Sequence, residues 1–127
     1  MPERVPFDYA VIRLIPRVER EEFLNVGVIL HAPTRGFLSC LIDVDSERLV
    51  ALAKNVDTVA ILQHLEGFKK ICEGNRAAGP IACLPASERF HWLVAPRSTV
   101  IQSSPVHGGV CDDPAVALHE LFTRRVE

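Results

Sequence analysis

The 127-residue chain carries 14 Lys and Arg against 16 Asp and Glu, for a net charge of -2 and a pI near 6.2. That balance gives no electrostatic footprint for duplex nucleic acid, whose binders present a basic face. With 48% hydrophobic and 24% charged residues, the composition is that of a globular protein rather than a disordered chain, and the length suits one domain spanning 1–127.

The start, "MPERVPFDYAVIRLIPRVER", carries Glu3, Asp8 and interrupting prolines, unlike the basic start and unbroken apolar run of a secretion signal. No stretch approaches the roughly eighteen apolar residues of a membrane span, so a cytoplasmic location is expected. Within it, "FDYAVIRLIP" reads as a strand, rich in β-branched and aromatic residues and stopped by Pro16. One face carries Tyr9, Val11, Arg13 and Ile15, the other Ala10, Ile12 and Leu14; two mostly apolar faces indicate a central strand.

"VEREEFLN" is a charged connection. "NVGVILHA" and "GFLSCLIDV" are two further strands, and the compact "PTRG" between them predicts an antiparallel hairpin. Gly27 inside the first of these predicts a bulge or a close approach by another backbone. Asp45 or Ser46 can then cap a helix with Leu49, Leu52, Ala53 and Val56 on one side. Asp57 can cap a second, with Ile61, Leu62, Leu65, Phe68 and Cys72 at helical spacing and Gly74 as its stop.

"EGNRAAGPIACLPAS" is loop by its glycines and prolines. "RFHWLVA", with His91 on a strand face, and "STVIQSS" read as the fourth and fifth strands. "DDPAVALHELFTRRV" closes the chain as a helix capped by Asp113 with Pro114 at its first position. The order β-β-β-α-α-β-β-α predicts an α+β domain: a mainly antiparallel five-stranded sheet with two to three packed helices.

The stretches "FDYAVIRLIPRVEREEFLNVGVIL" and "FHWLVAPRSTVIQSSPVHGGVCDDPAVALHELF" resemble the bacterial domain-of-unknown-function family 3037. Its members look like "YAVIRxxPRxERxEFxNVGVxL" and "APRSTxIQxSPVHxG". The motif positions here are Arg13, Pro16, Arg17, Glu19, Glu22, Asn25 and Gly27, then Arg97, Ser98, Gln102, Ser104, Pro105, His107 and Asp113. The resemblance implies a small cytoplasmic protein with no agreed catalytic residues. Such proteins are often encoded beside a HipA-like kinase-type protein, which the resemblance implies as a partner.

Arg13 in an apolar strand requires acceptors, for which Glu19, Glu22, Asp43 and Asp113 are candidates, or else forms one prong of an anion clamp. In "APRSTVIQSSPVHGG", Arg97 could grip a phosphate or carboxylate while Ser98 and Ser104 donate hydroxyl hydrogen bonds and His107 shuttles a proton. The candidate ligand-binding set is therefore Arg13, Glu22, Arg97, Ser98, Gln102, Ser104 and His107. No phosphate-loop, GxGxxG or GxSxG pattern accompanies it.

His107, Cys111, Asp112 and His119 are zinc ligands by type but lack HExxH or paired CxxC spacing, so neither metal nor cofactor is expected. Cys40, Cys72, Cys83 and Cys111 form no CxxC pair and read as reduced thiols. The reading preferred on these grounds is a non-enzymatic protein-interaction module, with a homodimer compatible and nucleic acid and membrane not expected as partners. The alternative is a small-ligand or phosphate-handling protein or enzyme using the Arg/Ser/His set.

Overall fold

The computed structural model of the chain describes residues 4–15, 23–52, 57–96 and 100–126. Strand β1 (Val5–Leu14) is central, as its two apolar faces require. It pairs antiparallel with β2 (Leu24–Ala32) on one side. On the other side it meets β4 (Ile101–Ser103) and then β5 (His107–Cys111), both antiparallel. Strand β3 (Phe37–Ile42) pairs antiparallel with β2 through the turn Pro33–Arg35 and Gly36, giving the sheet order β3-β2-β1-β4 with β5 also on β1. The fold is α+β with a five-stranded antiparallel sheet.

Both faces are covered. On one, Ala10, Ile12, Leu14, Leu24, Val26 and Ile29 pack with Leu49 of α1 (Ser46–Leu52), Ile61, Leu65, Phe68 and Cys72 of α2 (Thr58–Glu73), and Phe90 and Leu93 of α3 (Ala86–Val94). On the other, Val28, Leu30 and Ala32 pack against Leu118 of α4 (Pro114–Arg125). A buried leucine of this kind contributes about 2 kcal/mol.

Alternation along β2 changes phase at Val26. Ile12 pairs with Gly27 but Arg13 with Asn25, so Val26 is an extra residue that lets Leu24, Val26 and Ile29 share one face. Gly27 beside this bulge is also closely approached: a β-carbon there would lie 2.5 Å from the Leu41 carbonyl oxygen. Both physical reasons for a glycine in this strand are therefore present.

The helix caps follow the sequence. Asp45 accepts from the amides of Glu47 and Arg48, Asp57 from Ala60 and Asp113 from Ala115. Each satisfies amides that an uncapped first turn would leave orphaned. Along α2 the buried residues are Ile61, Leu65, Phe68 and Cys72, whereas Leu62 is exposed. Ala53, Val56, Pro16 and most of the "VEREEFLN" connection lie outside the described residues.

Two elements differ from the sequence reading, and the described helices number four rather than two to three. "RFHWLVA" is not a strand: it forms most of α3, burying Phe90 and Leu93 at a spacing of three and leaving His91 and Trp92 exposed. The fifth strand is instead His107–Cys111, a stretch that the sequence does not mark as a strand. Gly109 pairs with Phe7, whose ring occupies the space a side chain would need, 2.7 Å from a built β-carbon. That cross-strand aromatic covers the backbone which glycine leaves bare.

Candidate functional site

Of the candidate residues, Arg13 lies on β1, and Gln102, Ser104 and His107 lie along the edge that pairs with it. Arg13 pairs with Asn25 on β2 and with Gln102 on β4, forming a polar row across three strands. The Arg13 guanidinium carbon lies 4.4 Å from the centre of the Phe23 ring, a cation–π contact worth about 0.5–2 kcal/mol. Its Nε is buried without a hydrogen-bond partner among the described residues, as is the Asn25 Oδ1 beside it. The other end of Asn25 is engaged: its Nδ2 donates to the Arg125 carbonyl at 3.0 Å and ties the C-terminus of α4 to β2.

His107 belongs to another row. It pairs with Tyr9, the rings 5.5 Å apart and tilted by 37°. Tyr9 and Arg13 are four residues apart on β1, so the two rows stand roughly 13 Å apart at ~3.3 Å per residue. The structure thus joins Arg13 to Gln102 and sets His107 on its own with Tyr9.

Ser104 lies between these rows and is turned inward, 4% exposed. Its amide donates to the Val11 carbonyl at 2.8 Å, and its Oγ accepts from the Val11 amide at 2.8 Å. The Oγ also donates to the Pro105 carbonyl at 2.9 Å. The reason is local: Ile12 pairs with Ser103 and Tyr9 with His107, so the edge carries one residue too many where Pro105 turns it. The hydroxyl takes the ladder position that a carbonyl would otherwise fill. Glu22, Arg97 and Ser98 lie outside the described residues.

Two features were not read from the sequence. The first is a half-open apolar cleft of about 600 Å³ between α2, α3 and the start of β4, lined among others by Phe68, Trp92 and Ile101. Its signals were Gly67 inside a strong helical pattern and a lone tryptophan.

The second is His31, 6% exposed, with its ring 5.1 Å from Phe90 and paired across the ladder with Asp8. Burial pulls its pKa below the ordinary 6.5, against the raising influence of Asp8; His91 and Arg89 of α3 add to the lowering. The unfolded chain therefore takes up this proton first as pH falls. The stability from neutral His31 is complete above about pH 6.5 and is lost below it. Thermal melts between pH 7.5 and 5 should show a decline that is shallower in His31→Gln; an identical slope would remove His31 from the account.

Two of the four thiols are shifted. Cys72, hydrogen-bonded to Cys40 and buried, has its pKa pushed far up, so it stays protonated. Cys111 is raised more modestly, chiefly by burial. All four are free.

A five-stranded antiparallel sheet with α1–α3 on one face and α4 on the other, its edge strand broken at Ser104–Pro105, is the class of domain these observations define. The family model described as "Protein of unknown function (DUF3037)" matches residues 9–126, and the chain belongs to that family. No curated protein and no solved structure matches it. Among the described residues no helix is long and apolar enough to cross a membrane.

Proposed function

We propose that the protein is a non-enzymatic interaction module that accepts an extended strand from a partner protein along β3. The observation that carries this is the contrast between the two edges of the sheet. The β4–β5 edge is interrupted by a bulge and Pro105, devices that block strand addition. Strand β3, "FLSCLI", is paired on one side by β2 and contains no charge and no proline.

Its hydrogen-bonding direction follows from alternation. The Asp43 amide donates inward to the Val26 carbonyl, so Leu41, Ser39 and Phe37 also point their amides and carbonyls at β2, while Leu38, Cys40 and Ile42 point theirs outward. An edge with outward backbone groups and apolar flanks suits β-augmentation. The partner to test first is the HipA-like kinase-type protein that the family resemblance implies.

The other reading, an Arg/Ser/His ligand site, has less support. His107 stands roughly 13 Å from the Arg13 row at ~3.3 Å per residue, and the Ser104 hydroxyl is bonded to backbone.

Ser39→Lys is the test, because it places a lysine on the edge at the only polar position of β3. Folding stability should change by only about 0.5 kcal/mol, while calorimetric binding of the purified kinase-type protein disappears. Undiminished binding by Ser39→Lys, or no binding by the native chain, overturns the reading. A dimer in sedimentation that the same substitution dissolves would make a second copy the donor of the strand.

A further inference from the structure

Gly67 stands in the middle of α2 with no packing reason to be glycine. A β-carbon placed there meets no heavy atom of the described residues within 4 Å, although glycine inside a helix costs about 1 kcal/mol relative to alanine. What it borders is the apolar cleft of about 600 Å³, floored by α2 and walled by Phe68, Ile71, Trp92 and Ile101. Trp92 is 39% exposed there despite its size, and His64, exposed on α2, is the polar group on the lining nearest Gly67 in sequence.

We propose that this cleft binds a small, predominantly apolar molecule with an aromatic or extended hydrocarbon body. It lies along α2 over Gly67 and against the Trp92 ring, with its polar end at the His64 imidazole. The volume falls in the range of about 300–1,000 Å³ found for small-molecule sites, and apolar walls with few polar groups are their usual lining. The missing side chain at position 67 lets the ligand reach the helix backbone, which accounts for a glycine that the fold does not need. The site adjoins β4, at the opposite side of the sheet from β3, and does not depend on strand addition there.

Trp92 is the only tryptophan in the chain, so its emission reports on the cleft alone. Titration with 1-anilinonaphthalene-8-sulfonate should show saturable one-to-one binding, quenching of Trp92 and energy transfer to the probe. Gly67→Leu projects an isobutyl group into the cleft from a position with room for it, and leucine is the better helix former. The melting temperature should hold or rise while probe affinity falls about tenfold or more.

Gly67→Ala provides the same reading with less bulk, should the leucine variant melt lower: a higher melting temperature with weaker binding. Ser39→Lys should bind the probe as the native chain does, which separates this site from the β3 edge. Unchanged affinity in both Gly67 variants overturns the proposal. So does absence of binding to the native chain, or binding that leaves Trp92 emission unaltered.

Discussion

Replacing Gly27 by alanine should lower the melting temperature by about 10 °C. The added β-carbon would stand 2.5 Å from the Leu41 carbonyl oxygen, 3.0 Å from Ile42 Cγ1 and 3.1 Å from Ile12 Cδ1. The first of these is backbone and cannot rotate away. Gly27 pairs with Ile12 on one side and Ile42 on the other, so moving its strand disturbs both central ladders. Two effects of opposite sign compete. Alanine restricts the unfolded chain, a gain of about 0.4–1 kcal/mol. Overpacking against a fixed carbonyl costs about 3 kcal/mol, and at this chain length each kcal/mol moves the midpoint by roughly 3–5 °C. The clash wins. A thermal melt within about 2 °C of the native chain would mean that β2 and β3 part freely at the bulge, and the tight central ladder would have to be abandoned.

How far the sequence foretold this architecture depends on whether the deciding interactions were local. The hairpin β2–β3, the caps Asp57 and Asp113 and the glycine at position 27 were legible because turn chemistry, capping and alternation act within a few residues. The helix α3 was misread because "FHWLV" combines aromatic and β-branched residues that favour strands. What decides for a helix is the packing of Phe90 and Leu93, three apart, beneath the sheet, and no local propensity contains that. Strand β5 was missed for the converse reason. "HGGVC" has weak strand propensity, and its pairing with Val5–Tyr9 joins segments about a hundred residues apart.

The candidate site shows the same division. Polar density in "STVIQSSPVHGG" suggested chemistry, yet much of that polarity closes joints in the backbone. Ser103 Oγ reaches the carbonyls of Val94 and Ser104 at 3.2 and 2.7 Å, and Ser104 completes the ladder to β1. Motif residues Asn25, Gly27 and Asp113 likewise hold α4 to β2, admit the β3 backbone and cap α4. The cleft was not legible because its walls come from α2, α3 and β4, which only the fold brings together.

Ser104→Ala should therefore act on stability and not merely on a surface. The substitution removes the acceptor of the Val11 amide, a donor in a strand residue that is only 5% exposed. An orphaned buried amide costs about 1–3 kcal/mol, and the Pro105 carbonyl loses the hydroxyl that donates to it as well. The melting temperature should fall by about 3–15 °C, and the Val11 amide should lose hydrogen-exchange protection more than its neighbours Ala10 and Ile12, which bond toward β2. Ser104→Thr keeps the hydroxyl and should recover part of the loss. A serine serving a ligand from an open loop would behave differently, with alanine leaving the melt and the Val11 exchange rate unchanged while binding disappears. That outcome would return Ser104 to the ligand set with Arg13 and Gln102. The expected one makes it the residue that lets a single edge strand break at Pro105 and still pair with β1 on both sides of the break.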